Sequence, residues 1–415
     1  MNEYMNEYMK ETNEALLHTY NQFPVVLDHG EGAYLYDTEG KKYLDFAAGY
    51  AVSSLGYGNQ ELNEALKAQI DKLFHTSNLY YNTVCGKAAE DLKRITGMDR
   101  IFFTNSGGEA VEGTLKAARK YAYKKGTGRY EFIAMKESFH GRSFGALSVT
   151  GHDPYRAPFE PLVPGVSFAE YNDLDSVRAL MEQADGQTAA VIVEAVGANM
   201  GVVPPKKGFL EGLRKLCDEY GALLIFDEVI TGFRLAFGGA AEYFGVTPDL
   251  VTYGKIIGAG MPVGAYGGRR EIMELVSPVG KVYQAGTLSG NPIAMAAGLT
   301  QLKYLYEHQE IYKDLEEKGK RLYGGMEKIL AEKNLPYHIN HVSSLGSLFF
   351  TEQEVVDYTS AKSSDTKAFS EYFKGMLAQG IHMAPSQFEA MFLSVAHTDE
   401  IIDQTLEAVR NYFTK

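Results

Sequence analysis

Two short apolar runs, Ala222–Phe226 and Leu250–Tyr253, each lead into a charged side chain that could do chemistry. Their lengths and their flanking residues are typical of buried parallel strands. Asp227 follows the first run, and Lys255 comes just after the second. Because ligands of an open α/β sheet bind at the carboxyl ends of its strands, we expect the acid and the amine to meet in one crevice. A carboxylate that pairs with a pyridinium nitrogen and a lysine that forms a Schiff base are the two groups that pyridoxal phosphate (PLP) chemistry requires.

The segment Ser106-Gly107-Gly108 follows a predicted strand, precedes a predicted helix and could bind the phosphate of such a cofactor. Glycines let the backbone approach an anion, and a helix N-terminus offers free N–H groups and a partial positive charge. The same pattern also fits an ordinary serine-capped helix after a glycine turn. Thr287, in the polar loop Tyr283–Pro292, offers a further hydroxyl and N–H, although this loop alone fits a plain helix start equally well.

The segment Phe139-His140-Gly141-Arg142 offers an aromatic ring and a guanidinium. Phe139 could stack on a pyridine ring, and Arg142 could hold a carboxylate through a bidentate pair of hydrogen bonds. The alternatives are a core phenylalanine and a solvated surface arginine. We assign no proton transfer to His140, because a lone histidine is more often structural.

Asp227 stands beside a second carboxylate, Glu228, and such a pair could act as the acid and base of a glycosidase. Adjacent strand residues point to opposite faces of a sheet, so the two side chains would not flank one substrate. We therefore expect only Asp227 to face the pocket, where it would keep a pyridine nitrogen protonated. Lys255, with a pKa lowered by partial desolvation, would serve as the Schiff-base amine and then move a proton.

The rest of the chain alternates between predicted strands and helices from about residue 80 onward. Such alternation is typical of βαβ units around a mostly parallel sheet, so we predict an α/β fold. Residues 49–305 are predicted to form a large domain, and residues 1–48 and 306–415 a smaller α+β domain. Strands are predicted at 25–27, 33–36, 42–46, 100–104, 132–135, 189–194, 222–226, 250–253, 347–351 and 392–395, and helices at 5–20, 61–73, 83–96, 109–123, 174–183, 209–220, 292–307, 310–332, 366–379 and 398–413.

The composition narrows the class of function. The chain has 415 residues and a formal net charge of −13, which argues against nucleic acid or an anionic membrane as a partner. It lacks an apolar run of about 18 residues, so no membrane span is expected. Cys85 and Cys217 lack the spacing of a metal site or a disulfide framework, and the acidic N-terminus is unlike a targeting peptide. We therefore expect a cytoplasmic enzyme that binds no metal and acts on a small molecule.

Taken together, these segments resemble the motifs of the class III (subgroup II) PLP-dependent aminotransferases of fold type I. The resemblance implies a seven-stranded sheet in the large domain, PLP bound to Lys255 as a Schiff base, and a homodimer with its active site at the interface. It implies ring stacking by Phe139, a ring-nitrogen partner in Asp227, and phosphate contacts from Ser106, Gly107 and Gly108 and, across the interface, from Thr287. Gly108 stands where the family usually has threonine. The shared motifs are Ser106–Ala110, Phe139–Arg142, Asp227–Glu228, Tyr253–Gly258 and Ala285–Thr287.

Within the family, the two halves of the chain resemble different members. Residues 1–185 resemble acetylornithine aminotransferases, whereas residues 194–415 resemble glutamate-1-semialdehyde 2,1-aminomutases, more closely and over more motifs. This division predicts a mosaic chain, or chimera, joined near residues 187–199.

The resemblance implies that the substrate-binding residues match both groups, the acetylornithine aminotransferases and the aminomutases. Arg142 matches the carboxylate anchor of acetylornithine aminotransferases, whereas Asn199 and Glu389 match aminomutase positions. Ile230 stands, as in aminomutases, where aminotransferases have a glutamine beside the phenolic oxygen of the cofactor. The predicted reaction is amino-group transfer of the aminomutase type, in which the same bound molecule receives the amine back at a neighbouring carbon. The alternatives are an acetylornithine- or ornithine-type aminotransferase that uses 2-oxoglutarate, and a PLP-binding scaffold with weak or no turnover.

Overall fold

The computed structural model of the protein describes residues 3–414, apart from the side chains of residues 3–6, 126 and 127, and this part of the chain forms three β-sheets surrounded by helices. The strands are β1 (Leu27–Glu31), β2 (Tyr34–Asp37), β3 (Lys42–Asp45), β4 (Arg100–Thr104), β5 (Glu131–Met135), β6 (Val166–Ala169), β7 (Thr188–Glu194), β8 (Leu223–Asp227), β9 (Leu250–Tyr253), β10 (Gly264–Gly268), β11 (His338–Val342), β12 (Leu345–Phe349), β13 (Ile381–His382) and β14 (Met391–Phe392). The helices are α1 (Glu3–Ala15), α2 (Ala48–Ala51), α3 (Gln60–Lys72), α4 (Cys85–Thr96), α5 (Gly107–Ala122), α6 (Phe144–Val149), α7 (Asp153–Arg156), α8 (Leu174–Gln183), α9 (Phe209–Tyr220), α10 (Gly239–Phe244), α11 (Arg270–Met273), α12 (Pro292–Glu307), α13 (Glu310–Glu332), α14 (Tyr358–Lys362), α15 (Thr366–Ala378) and α16 (Asp399–Tyr412). Short 3-10 or π turns occupy Tyr123–Thr127, Ala157–Phe159 and Lys255–Gly258.

The central sheet has seven strands in the order β4-β10-β9-β8-β7-β5-β6. Strands β5 to β9 pair in parallel, whereas β10 runs antiparallel to both of its neighbours, β4 and β9. The predicted α/β fold with a mostly parallel, seven-stranded sheet is therefore confirmed.

Helices cover both faces of this sheet. On β8, Leu224 and Phe226 pack in a core cluster with α8 and α9, whereas Leu223 and Ile225 pack with α5. All residues of β7 and β8 are buried. Strands buried on both faces are nearly continuous apolar runs, which is why their sequences show no apolar–polar alternation. At the carboxyl ends of the strands, Asp227 ends β8 and Lys255 follows β9.

The other two sheets are smaller, and neither shares a strand with the central sheet. Strands β1, β2 and β3 pair antiparallel in sequence, and β13, from late in the chain, adds to β3 in parallel. Strands β11, β12 and β14 form an antiparallel sheet. Leu44 of β3, Leu348 of β12 and Leu322 of α13 belong to one core cluster, which also includes buried residues of α15 and α16. Within residues 3–414, no helix combines the length and the apolar character needed to span a bilayer.

The structure departs from the predicted elements mainly in glycine-rich and short polar segments. Strand β10 has the sequence Gly-Ala-Tyr-Gly-Gly, which disfavours a strand when considered alone. Close packing requires glycine there, since a Cβ on Gly267 would lie 2.5 Å from the carbonyl oxygen of Arg100. Strands β6, β11 and β13 were not predicted either. The helix predicted over 5–20 ends at Ala15, β1 begins at Leu27 where the predicted strand ends, and the strand predicted at 392–395 is only Met391–Phe392.

Candidate active site

Lys255 lies just after β9, at the start of the 3-10 turn Lys255–Gly258. Its φ of 52° is left-handed, and its Nζ donates a hydrogen bond of 2.8 Å to the carbonyl oxygen of Tyr50. Burial, followed by the positive charge of Arg234, lowers the pKa of the Lys255 ammonium from its usual value, although nearby carboxylates oppose this shift. The amine is therefore biased toward its neutral, nucleophilic form.

The acceptor of this hydrogen bond belongs to an unusual backbone turn. Every residue of α2, Ala48–Ala51, has a left-handed φ between 49° and 68°. For a residue other than glycine this conformation costs about 1–2 kcal/mol. The carboxylate of Asp45 accepts hydrogen bonds from the backbone N–H groups of residues 47 and 48, at 2.9 and 3.1 Å, and so fixes the entry to the turn. The turn in this way directs the carbonyl oxygen of Tyr50 at Lys255.

Asp227, the last residue of β8, is 5% exposed and carries three hydrogen bonds. Its Oδ2 lies 2.7 Å from Nδ1 of His140, and its Oδ1 accepts from Thr252 Oγ1 at 3.0 Å and from the backbone N–H of Val229 at 3.1 Å. The buried Nε2 of His140 has no hydrogen-bond partner among the described residues. His140, to which sequence reasoning gave no role, thus orients the carboxylate that would face a pyridine nitrogen.

Glu228 points away from Asp227 and serves a different purpose. Its carboxylate accepts hydrogen bonds from Thr231 Oγ1 and from the backbone N–H groups of Ala240 and Ala241, in the first turn of α10. Burial raises its pKa to about 7, although these three hydrogen bonds oppose the shift. The two adjacent carboxylates do not flank one site, so the geometry offers nothing to a glycosidase-type mechanism.

The turn at residues 105–108 leads from β4 into α5. Ser106 is the N-cap of α5, since its Oγ accepts a hydrogen bond of 3.2 Å from the backbone N–H of Glu109. A Cβ on Gly107 would lie 2.8 Å from Val229 Cγ2, whereas a Cβ on Gly108 would meet nothing nearer than 3.9 Å. The turn therefore combines a capped helix start, which was the ordinary alternative, with a backbone surface open to an anion.

Lys255, Asp227, His140 and the turn at residues 105–108 line one cavity of about 440 Å³. Three of its features fit PLP: an amine with a lowered pKa, a carboxylate braced by a histidine, and a glycine turn at a helix N-terminus with room over Gly108. The half-buried ring of Phe139 lies beside them. The cavity brings together Ser106, Gly107, Gly108, Phe139, Asp227 and Lys255.

A second cavity, of about 1330 Å³, also reaches Lys255 and contains the predicted substrate residues Arg142, Asn199, Ile230 and Glu389. Arg142 is exposed, and its guanidinium carbon lies 4.3 Å from the ring centre of Tyr155 and 5.4 Å from that of Phe139. Burial raises the pKa of the Glu389 carboxyl, and the charge of Lys255 opposes this. This cavity therefore offers a positive and a negative group, both suited to an amino acid.

Asn199 is engaged by a residue that sequence reasoning missed. Its Nδ2 donates a hydrogen bond of 3.0 Å to Glu194 Oε2, while Oε1 of the same carboxylate accepts from the backbone N–H of Phe139 at 2.8 Å. Burial raises the pKa of Glu194 to about 7. Glu194, at the end of β7, thus holds both Phe139 and Asn199 in place.

Thr287 is the one predicted site residue that the structure leaves outside both cavities of this chain. It is exposed in the loop after β10, which Asn78 holds by donating hydrogen bonds to Gly286 O and Ser289 O at 2.9 and 3.0 Å. Among the described residues, no group of three or more histidine, cysteine or acidic side chains is arranged to hold a metal ion.

Three residues near Lys255 carried no usable sequence signal. Tyr50 contributes a backbone oxygen, which its side chain does not reveal, and Glu194 and Arg234 become informative only because they are buried. His140 was visible beside Phe139 but could be interpreted only once its contact with Asp227 was known.

The fold and the site define a PLP-type aminotransferase architecture, and comparison with known families agrees. The model of the class III aminotransferases matches residues 16–412, and the chain belongs to this family. Class III aminotransferases and aminomutases use PLP, so the predictions of a PLP-dependent enzyme and of its cofactor are confirmed.

Individual relatives and solved structures show which members of the family this chain is similar to. The chain is similar to glutamate-1-semialdehyde 2,1-aminomutase 1 of Lachnoclostridium phytofermentans, with 48% identity over 400 residues, which cover 94% of this chain and 91% of the relative. Among solved structures, an ornithine aminotransferase from Toxoplasma gondii ME49 has a TM-score of 0.88 and 26% identity, covering 99% of this chain and 95% of the other. An acetylornithine aminotransferase from Elizabethkingia anophelis has a TM-score of 0.82 and 26% identity, covering 99% of each chain. The predicted fold type I architecture is confirmed by these neighbours.

The predicted mosaic has no support in these comparisons. The aminomutase alignment covers 94% of the chain, so it extends far into the half that we expected to resemble acetylornithine aminotransferases only. The similarity to the acetylornithine aminotransferase likewise extends over the whole chain rather than residues 1–185. Short motifs such as Phe139–Arg142 misled the sequence analysis, because a few shared residues at a site say little about the rest of a half-chain.

Proposed function

We propose that this protein is a glutamate-1-semialdehyde 2,1-aminomutase, which moves an amino group between neighbouring carbons of one bound molecule. The observation that carries this proposal is the 48% identity to such an aminomutase over 94% of the chain. Ile230 at the wall of the cavity that reaches Lys255 also favours it, because this position resembles aminomutases rather than aminotransferases.

The residues around the cavity divide the work of PLP chemistry among them. When bound, PLP supplies an aldehyde that condenses with amines and a ring that accepts an electron pair from a neighbouring carbon. Ser106, Gly107 and Gly108 would hold the phosphate through backbone N–H groups, and Phe139 would pack on the ring. Asp227, braced by His140, would keep the ring nitrogen protonated.

Lys255 has two tasks in this proposal. Its Nζ is the amine that holds the cofactor, which its lowered pKa favours. With cofactor and substrate bound, Nζ would take up and return the proton at the reacting substrate carbons. The carbonyl oxygen of Tyr50 orients Nζ for both tasks.

The substrate carboxylate lies at Arg142 in this proposal, and the opposite end of the substrate lies near Asn199 and Glu389. Arg142 makes no ion pair with another described residue, lines the larger cavity, and keeps its guanidinium near the rings of Tyr155 and Phe139. Glu194 fixes the amide of Asn199. The carboxyl of Glu389 lines the same cavity as Lys255, and burial raises its pKa.

We further propose a cytoplasmic homodimer in which Thr287 reaches the phosphate bound by the partner subunit. The segment Leu73–Tyr81 exposes five large apolar side chains, and Asn78 within it holds the Thr287 loop. Exposed apolar surface of this extent is typical of a subunit interface. We also propose that residues 1–48 and 306–415 form the small domain around the large domain 49–305, and the pairing of β3 with β13 supports this division.

A second candidate is an acetylornithine-type aminotransferase, which Arg142 favours, since it matches the carboxylate anchor of that group. The test is to supply the purified chain with PLP and either glutamate-1-semialdehyde alone or N-acetylornithine with 2-oxoglutarate. Rapid conversion of the semialdehyde without a keto acid would support the aminomutase, whereas dependence on 2-oxoglutarate would favour the aminotransferase. Absorbance of bound PLP that ignores every amine would favour a scaffold. Lys255→Ala is the control, and it should lose the absorbance of the lysine-bound cofactor.

A further inference from the structure

Arg234, in the loop after β8, is a buried charge with almost nothing to balance it. It is 3% exposed, and its Nη2 donates a hydrogen bond of 2.8 Å to the carbonyl oxygen of Ala51. Its guanidinium carbon lies 4.6 Å from the ring centre of Phe392, and its buried Nε has no partner among the described residues. No carboxylate in the described part of the chain forms an ion pair with it.

Such an arrangement is unfavourable for folding alone. Burying a charge without an ion pair costs far more than a carbonyl oxygen and a ring face return. Burial lowers the pKa of Arg234, but only to about 10, so the side chain keeps its positive charge at neutral pH. The charge therefore calls for an explanation outside stability.

The hydrogen bond of Arg234 leads directly to Lys255. Ala51 ends the left-handed turn Ala48–Ala51, and the carbonyl oxygen that accepts from Lys255 Nζ belongs to the preceding residue, Tyr50. Two basic side chains are thus tied to successive carbonyl oxygens of one strained turn. Arg234 fixes the end of this turn, while Asp45 fixes its start.

We infer that Arg234 is a positioning residue for amino-group transfer: it locks the turn that orients Lys255 Nζ and holds a permanent positive charge against the same turn. The inference rests on the proposed role of Lys255 as the cofactor-binding amine. It does not depend on which amino compound is the substrate.

The other charged groups that face Lys255 act in the opposite direction. Glu389, Asp227 and Glu194 each raise the pKa of the lysine, whereas burial and Arg234 lower it. Arg234 is therefore the only side-chain charge among these contributors that favours the neutral amine. Removing it leaves three carboxylates to stabilise the ammonium form.

The test measures the protonation of Lys255 in the chain without cofactor, so that no catalytic turnover is needed. The rate of reductive methylation of Lys255 by formaldehyde and cyanoborohydride is followed by peptide mass spectrometry from pH 6 to pH 11, which is roughly the range in which a lysine with a lowered pKa titrates. The variants are Arg234→Met, Arg234→Gln and Arg234→Lys. Arg214→Met is the matched control, because it removes a partly buried arginine whose charge is paired with Asp249 and Asp218.

We expect the midpoint of labelling to rise by about half a pH unit or more in Arg234→Met and Arg234→Gln. It should stay near the wild-type value in Arg234→Lys and in Arg214→Met. Hydrogen–deuterium exchange of the peptide spanning residues 46–53 should accelerate in Arg234→Met but not in the control, because the turn loses its anchor.

Folded Arg234→Met and Arg234→Gln proteins with wild-type midpoints would overturn the inference. If neither neutral variant folds, Arg234→Lys decides. A folded Arg234→Lys protein whose midpoint is raised, although its charge is kept, would also overturn the inference, because charge would then not be the cause. Failure of the proposed function looks different: Lys255→Ala would retain the absorbance of bound PLP, or no amino compound would react, while the labelling shift stayed measurable.

Discussion

The same substitution is expected to be damaging at Gly107 and nearly neutral at Gly108, its neighbour in the proposed phosphate-binding turn. In Gly107→Ala the new Cβ would lie 2.8 Å from Cγ2 and 3.0 Å from Cγ1 of Val229. Carbon atoms pack at about 3.5–4.0 Å, so Val229 or the turn must move. In Gly108→Ala the nearest atoms are Gly141 Cα and Ser106 Oγ, both at 3.9 Å, which is ordinary contact.

The structure also sets the expected size of the effect. Val229 is held by the hydrogen bond of its backbone N–H to Asp227, so a shift of Val229 disturbs the carboxylate beside it. Overpacking of this kind costs about 1–3 kcal/mol. We therefore expect Gly107→Ala to lower the free energy of unfolding by about 2 kcal/mol and to weaken PLP binding by about tenfold or more. Gly108→Ala should change the unfolding free energy by no more than about 0.5 kcal/mol.

Urea unfolding of the chain without cofactor and titration with PLP, followed by absorbance, measure the two quantities. Val229→Ala removes the methyl groups that the new Cβ would meet, so the double variant Gly107→Ala/Val229→Ala should lose less than the sum of the single losses. Equal damage from Gly107→Ala and Gly108→Ala would refute the reasoning, and so would strict additivity in the double variant.

Three further substitutions test the carboxylate beside His140, the acceptor at the start of α10, and a buried histidine outside the site. Asp227→Asn removes the charge beside His140 and should slow amino-group transfer by about 100-fold or more, with an unchanged circular dichroism spectrum; near wild-type turnover would contradict this. Glu228→Gln weakens the cap of α10 and should cost about 1–2 kcal/mol in urea unfolding without changing PLP affinity, so weaker PLP binding at full stability would be the wrong outcome. Burial lowers the pKa of His397 from 6.5 to about 4, so the unfolded chain binds more protons between these values and the protein loses stability as pH falls through them. His397→Gln should lose less stability over that window, by at most about 3 kcal/mol, and identical pH slopes of unfolding free energy would rule the idea out.

The sequence was most informative where burial and chemistry meet at a strand end. The runs before Asp227 and Lys255 are apolar because both faces of β8 and β9 are covered, and that pattern could be recognised directly. Strand β10 could not be recognised, because its glycines are required by the close approach of neighbouring backbone and have no preference for strands.

The support around Lys255 was out of reach for a different reason. The turn Ala48–Ala51 carries alanine and tyrosine at left-handed positions, where sequence rules expect glycine or asparagine. Its conformation is imposed by Asp45 and Arg234, which are distant in sequence from each other. Asp45 stands just before the turn, but no local pattern reveals a conformation that also depends on Arg234, which is 183 residues away from Ala51 in sequence.

The two carboxylates that end β8 also act as a check on strand register. Leu223 to Phe226 are apolar on both faces, so a slip by one residue would exchange one apolar surface for another at little cost. The same slip would carry Glu228 into the place of Asp227 beside His140 and leave the start of α10 without its acceptor. The correct alignment of this apolar strand is thus specified by the charges at one end. An incorrectly aligned sheet would lose a helix cap and the cofactor partner at the same time.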